Sequence, residues 1–113
     1  MDTKEITAKL RYLRVSPRKV RVVANSIKGR TAKEAEAHLR FLNRGSAPAL
    51  RKLLRSAMAN AKHNFNIDAE KLNVKTVRVD KGPTLKRMKP RSRGIGSPIH
   101  KHSSHITLIL TEQ

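Results

Sequence analysis

The chain has 113 residues, a length that fits one domain with a small core. It carries 26 Lys and Arg against 8 Asp and Glu, a formal charge of +18, and it has no cysteine. This excludes disulfide scaffolds, thiol chemistry and cysteine-based zinc sites. It also asks for a polyanionic partner, because folding crowds like charges together. Nucleic acid, with one phosphate charge per ~1.7 Å of duplex axis, supplies one.

No apolar run approaches the roughly 18 residues of a membrane-spanning helix. The opening MDTKEITAKL lacks the apolar centre of a signal peptide. The expectation is a soluble intracellular protein with no membrane association. Tyr12, Phe41 and Phe65 are the whole aromatic set. That argues against a base-stacking sheet and for binding through phosphates and RNA shape.

In chain order, residues 6–15 alternate loosely and predict a strand, with Ala8, Leu10 and Tyr12 on one side and Lys9, Arg11 and Leu13 on the other. Ser16-Pro17 reads as an N-cap followed by proline at the first helical position. Val20, Val23, Ala24 and Ile27 then keep helical spacing until Gly29 closes the helix. Thr31 with Glu34 forms a capping box for a second helix, whose buried stripe is Ala35, Leu39 and Leu42. Asn43-Arg44-Gly45 ends it. Ser46 caps a third helix bearing Leu50, Leu53, Leu54, Ala57, Met58 and Ala61, the strongest periodic signal in the chain. Residues 64–70 read as a turn and 72–80 as a strand. Residues 106–111 are apolar on both faces, which predicts a strand buried at the sheet centre.

Residues 81–105 contain seven Lys and Arg, three prolines, three glycines and no carboxylate. Such a segment is either a disordered basic loop or a long β-hairpin with its tip near Arg93-Gly94-Ile95-Gly96. Val77 and Val79 lie roughly symmetrically with Ile106, Leu108 and Leu110 about residues 93–95, as antiparallel partners do. That favours the hairpin. Both strands of a free ribbon are edges and so tolerate proline, and the ribbon would reach roughly 40 Å at ~3.3 Å per residue.

The run Ser16-Pro17-Arg18-Lys19-Val20-Arg21 sets cations around a helix start, where free N–H groups and the helix dipole favour phosphate. For a single residue a solvated helix face is the simpler explanation; for the cluster in so basic a chain, phosphate contact is the better one. His100 and His102 fall on one side of a strand and His105 on the other, with no carboxylate near, so no metal site or cofactor is expected. Asp68, Glu70 and Asp80 are too scattered for paired-carboxylate chemistry, and Ser103-Ser104-His105 is adjacency without triad geometry. No enzymatic activity is expected.

Several motifs in order resemble the bacterial type of the ribosomal protein L-twenty-two family. They are the Ser16–Arg21 run, Ser56-Ala57-Met58-Ala59-Asn60-Ala61-Lys62-His63-Asn64, Val79-Asp80-Lys81-Gly82-Pro83-Thr84-Leu85-Lys86-Arg87, Pro90-Arg91-Ser92-Arg93-Gly94, and Ser104-His105-Ile106-Thr107. The resemblance runs essentially end to end. It implies an α+β fold with three helices packed on a small antiparallel sheet, and a long protruding basic β-hairpin. As a domain the chain is then a single unit, with a globular body of 1–80 plus 106–113 and a hairpin of 81–105.

It further implies a structural role in the large ribosomal subunit of a bacterium or an organelle of bacterial descent. The hairpin tip would stand at the nascent-peptide exit tunnel. Expected partners are large-subunit ribosomal RNA, neighbouring large-subunit proteins and the nascent peptide, without homo-oligomerisation. The expected RNA-binding residues are Arg11, Arg14, Arg18, Lys19, Arg21, Lys86, Arg87, Lys89, Arg91, Arg93, His100, Lys101 and His102; the tip is Arg93, Gly94, Ile95 and Gly96. Asn60, His63 and Asn64 either reach RNA or cap the third helix. The chain departs from the family's usual Gly-Arg-Ala at Gly94-Ile95-Gly96, and from Lys-Arg-Thr-Ser-His at Lys101-His102-Ser103-Ser104-His105. The first departure exchanges a guanidinium at the tip for an apolar side chain.

Rival readings are a DNA-binding architectural protein, a cationic membrane-active protein and an RNA-directed enzyme. None explains the ordered motifs.

Overall fold

The computed structural model describes residues 5–90 and 96–112, and the side chains of 85–100 lie outside that description. The elements are β1 (Glu5–Leu13), α1 (Pro17–Ile27), α2 (Ala32–Phe41), α3 (Ala47–Phe65), a short 3-10 turn (Ala69–Lys71), β2 (Leu72–Lys81), β3 (Leu85–Pro90), β4 (Gly96–Lys101) and β5 (Ser104–Glu112). The fold is α+β, with three helices packed on a three-stranded antiparallel sheet of order β1-β5-β2.

The last strand is therefore central, as its apolar character predicts. Ile6 faces Leu110 on one edge, and Val77 faces Leu108 on the other. Helices cover one face only, however, and the burial of β5 alternates. Ser104, Ile106, Leu108 and Leu110 are buried beneath the helices, while His105, Thr107 and Ile109 are half-buried on the opposite face. The strand is central as expected, with its second face half-buried. A sheet with helices on a single side leaves the other to solvent or a partner.

Two bulges keep the apolar residues on the covered face. In β2 the register shifts between Val74 and Thr76, so that Leu72, Val74, Val77 and Val79 all point inward despite an extra residue. In β1 the shift lies between Leu10 and Leu13, where Tyr12 adopts φ 60°. Leu13 thereby packs against the core and Tyr12 stands 62% exposed, the reverse of simple alternation. The Tyr12 N–H donates to His105 Nδ1 at 3.1 Å, and the two rings meet edge to face at 4.8 Å.

The helices bury the predicted stripes: Val20, Val23, Ala24 and Ile27; Ala35 and Leu39; Leu50, Leu53, Leu54, Ala57 and Ala61. Leu42 and Met58 are only partly buried at the rim of that core. Gly29 takes φ +79° after α1, and its N–H donates to the Val74 carbonyl at 3.0 Å, tying the α1–α2 turn to β2. Thr31 Oγ1 accepts from the Glu34 N–H at 3.3 Å, the first half of the predicted capping box.

Ser16 and Ser46 occupy N-cap positions, but neither side chain makes a cap bond, contrary to expectation. For Ser46 the backbone is helical rather than extended (φ −86°, ψ −11°), which turns the hydroxyl away from the first-turn N–H groups. The third helix also runs past residue 64 to Phe65. Left-handed Asn66 ends it, its N–H reaching Lys62 O, while the Ile67 N–H returns to Ala61 O and the Ile67 side chain is buried. That is a Schellman ending with its apolar contact.

At the far end of the sheet β2 and β5 stay paired to Lys81↔Ser104, and β3 and β4 then pair from Leu85↔Lys101 to Pro90↔Gly96. The joint is polar. Ser104 Oγ donates to Val15 O at 2.6 Å, Ser103 Oγ to Pro83 O at 2.6 Å, and Gly82 N–H to Ser103 O at 2.9 Å. The ribbon gives the molecule extents of 65 × 26 × 20 Å and a radius of gyration of 17.2 Å. A compact domain of 100 residues has about 13 Å.

The packing at the joint is open to a direct test. A Cβ at position 82 would stand 2.5 Å from Ser103 Oγ and 3.2 Å from His105 Nε2, whereas one at position 45 meets nothing within 4 Å. Gly82→Ala is expected to lose about 1–3 kcal/mol in urea denaturation through overpacking and a displaced hydroxyl; Gly45→Ala should lose none. A second test concerns Glu70, whose carboxyl is held below its ordinary value by a hydrogen bond from Lys33 at 2.8 Å and by that ammonium's charge. Its small contribution to stability is present above the unfolded-state pKa and is lost as pH falls through the lowered folded-state pKa. Lys33→Met should return the Glu70 titration, followed by NMR of the side-chain carboxyl, to the ordinary range.

Candidate nucleic-acid interface

The turn between β1 and α1, the start of α1, the loop into α3 and the root of the ribbon enclose an open concavity of about 1510 Å³. Its lining holds Arg14, Arg18, Lys19, Arg21, Arg44, Lys81, Lys101 and His102, and no carboxylate. The chain's described carboxylates lie elsewhere. Glu36 sits between Arg51 and Arg55, each at 3.7 Å, Glu70 pairs with Lys33, Asp80 with Arg78 at 3.0 Å, and Glu5 with Lys75. The seven Lys and Arg side chains of the concavity take part in none of these pairs. A concave surface lined by one sign of charge concentrates its field. Such a surface is suited to a polyanion.

Sequence separation hides this cluster. Val15 is anchored by Ser104 Oγ, and the ribbon root by Gly82 and Ser103, so residues near 15, 45, 81 and 101 meet. Of the expected RNA-binding residues, Arg14, Arg18, Lys19, Arg21, Lys101 and His102 come together here. Arg11 is exposed on β1 and does not line the concavity. Arg21 also serves the fold, since its guanidinium donates to Val79 O at 3.1 Å and joins α1 to β2.

Lys86, Arg87, Lys89 and His100 lie on β3 and β4, with Lys86 opposite His100, Arg87 opposite Ile99 and Lys89 opposite Ser97. Their side chains are outside the described region, as are Arg91, Arg93, Gly94 and Ile95 altogether; Gly96 opens β4 opposite Pro90.

Arg44 and Lys81 belong to the concavity and were not in the expected set. The signal for Arg44 was available, since it precedes the Gly45-Ser46-Ala47-Pro48 helix start much as Arg14 precedes Ser16-Pro17. Lys81 carried no such signal, because its place depends on where β2 ends. Of the residues left open on α3, Asn64 Nδ2 donates to Asn60 Oδ1, an internal use of both amides. Among the described residues no group of three or more His, Asp or Glu could hold a metal ion, and His105 Nδ1 is occupied by Tyr12. No described helix is long and apolar enough to cross a membrane.

Comparison with known proteins bears on the same residues. The model of the family described as ribosomal protein L22p/L17e matches residues 8–111. The chain is 48% identical over 103 residues to a protein of Desulfitobacterium hafniense named large ribosomal subunit protein uL22, covering 91% of this chain and 90% of the relative. Proteins of the same name from Lacticaseibacillus casei and Staphylococcus aureus are 45% and 44% identical over 107 and 108 residues, with 95% and 96% of this chain and 92% of each relative covered. The match takes in every element from β1 to β5, including the basic turn before α1 and the strands of the ribbon, and the chain belongs to the ribosomal protein L22p/L17e family.

Proposed function

We propose that the chain is a structural constituent of the large ribosomal subunit that binds ribosomal RNA through two surfaces, the carboxylate-free concavity and the basic ribbon. The observation that carries this reading is the gathering of seven Lys and Arg from four separated segments around one hollow, with every described ion pair placed elsewhere. The relatives' name, large ribosomal subunit protein uL22, supports the same assignment. The family is a structural one, and the chain is not an enzyme.

Mechanistically the role is electrostatic and steric. Arg14, Arg18, Lys19, Lys81 and Lys101 screen phosphates where RNA segments crowd together, and contacts of this kind orient rather than read sequence. The ribbon is narrow enough to enter a crevice closed to the body. Lys86, Arg87, Lys89, Arg91, Arg93 and His100 would meet RNA along it, and Arg11 from the flank of β1. The unit so formed is one domain, with body 1–80 plus 106–113 and hairpin 81–105. The tip, Arg93-Gly94-Ile95-Gly96, stands at the nascent-peptide exit tunnel, where the nascent chain is a passing partner. Neighbouring large-subunit proteins complete the surroundings, and assembly of the subunit is aided by the cross-linking of RNA segments. The place of action is the ribosome in the cytoplasm, or in an organelle of bacterial descent.

Co-sedimentation on sucrose gradients tests the proposal. The tagged chain is expected to travel with the large subunit at moderate and high salt. Loss to the top fractions at high salt, or a preference for duplex DNA over large-subunit RNA, would overturn it. Replacing Arg14, Arg18 and Lys19 together by Ala should also lower the salt dependence of RNA affinity by a slope of about one per phosphate contact removed. An unchanged slope would remove the concavity from the binding surface.

A further inference from the structure

Tyr12 holds a backbone conformation that its own chemistry disfavours. Among the described non-glycine residues only Tyr12, at φ 60°, and Asn66, which ends α3, take positive φ. A left-handed backbone suits glycine and asparagine and is costly for a bulky side chain. Such strain persists only where the surroundings hold it, and it gathers at functional positions. The bulge at residue 12 returns Leu13 to the core, which glycine or asparagine would allow with less strain. What tyrosine adds is a ring, and that ring stands 62% exposed.

His105 fixes the ring in place. Its Nδ1 accepts the Tyr12 N–H at 3.1 Å, and the two rings meet at 88° with centroids 4.8 Å apart. An edge-to-face contact covers at most one face of the phenol. His105 itself sits over Gly82, where a Cβ would come within 3.2 Å of Nε2. The setting is basic. Because Ile6 is buried and Ala8 and Leu10 pack on the core, Lys9 and Arg11 alternate to the open face of the sheet. Both are exposed, and among the described residues neither is in an ion pair. Asp80, opposite His105 in the β2–β5 ladder, is held by Arg78 at 3.0 Å.

We propose that Tyr12 is a stacking platform for one unpaired base of the large-subunit ribosomal RNA, on the sheet face opposite the helices, with Lys9 and Arg11 beside the flanking phosphates. The inference rests on the RNA-binding reading above and adds a base contact on a different face, since none of the three residues lines the hollow. A nucleotide matches both features at once, an aromatic face for the ring and anionic phosphate for the cations. Three aromatics in the whole chain do not make a base-stacking sheet. One exposed ring is nevertheless enough for one base, because every base offers a π face.

Tyr12 is the sole tyrosine and the chain has no tryptophan, so tyrosine fluorescence of the wild-type chain reports this ring alone. A short single-stranded oligoribonucleotide should quench that emission, after correction for absorbance by the bases. The same sugar–phosphate backbone with abasic sites should bind and leave it unchanged. Quenching by both alike, or by neither at saturation, would overturn the stack. Tyr12→Gly relieves the backbone and should melt close to the wild-type temperature. Its affinity for large-subunit ribosomal RNA should still fall at least about fivefold, the lower end of what one base–aromatic stack contributes. Tyr12→Phe keeps the ring and should stay within about twofold of wild type. Phe41→Ala removes a ring that is 81% exposed at the end of α2 and should likewise stay within about twofold. Equal losses in Tyr12→Gly and Phe41→Ala would overturn the proposal, and so would full RNA affinity in Tyr12→Gly, which would leave the ring to a protein neighbour. A wild-type chain that binds neither the oligoribonucleotide nor the ribosomal RNA would instead overturn the broader reading on which the stack rests.

Discussion

The hydrogen-bonded position of β5 between β1 and β2 is the constraint on which the rest depends. Pairing Ile6 with Leu110 and Val77 with Leu108 joins the two ends of the chain and makes one inner face from three distant segments. On that face Ser104, Ile106, Leu108 and Leu110 are buried, with α3 packed on β1 and β5 and with α1 and α2 packed on β2. Without the central strand, β1 and β2 have no common partner and the apolar stripes of α1 and α3 have no shared surface to cover. Contacts of such long sequence separation cost loop-closure entropy before they are rewarded. The dense apolar face is what offsets that cost.

The same strand fixes where the ribbon and the basic hollow meet. Because β5 begins at Ser104 and β2 ends at Lys81, the ribbon grows from the ladder of the core rather than hanging from a loop. Ser103, Ser104 and Gly82 stitch the junction, and the close approach at Gly82 leaves no room for a side chain. Such a root fixes the direction in which the ribbon leaves the body. The basic hollow lies beside it, lined from the root by Lys81, Lys101 and His102.

Charge is divided by place rather than spread evenly. Glu34 and Glu36 on α2, Asp68 and Glu70 beside the 3-10 turn, and Glu5, Asp80 and Glu112 on the strands account for the described carboxylates. Their exposed ion pairs contribute little to stability. Their more telling effect is to hold the few negative charges away from the hollow. There, uncompensated cations repel one another.

Much of this was legible in the sequence. The helical spacing of Val20, Val23, Ala24 and Ile27, and of Leu50, Leu53, Leu54, Ala57 and Ala61, named the buried stripes because a helix repeats its face every 3.6 residues. The apolar run 106–111 named the central strand, the ordered motifs named the family, and the charge named the class of partner. Tertiary structure alone decided the rest. The bulges that return Leu13, Val77 and Val79 to the core and expel Tyr12 depend on partner strands. The hydroxyls of Ser16 and Ser46, placed by pattern as helix caps, make no cap bond, and at Ser46 a helical backbone that no local motif encodes turns the hydroxyl away. The hollow itself, where residues near 15, 45, 81 and 101 meet, exists only once the sheet has closed. Local spacing determines which face a residue takes, whereas the neighbours it meets across the chain are set by long-range pairing.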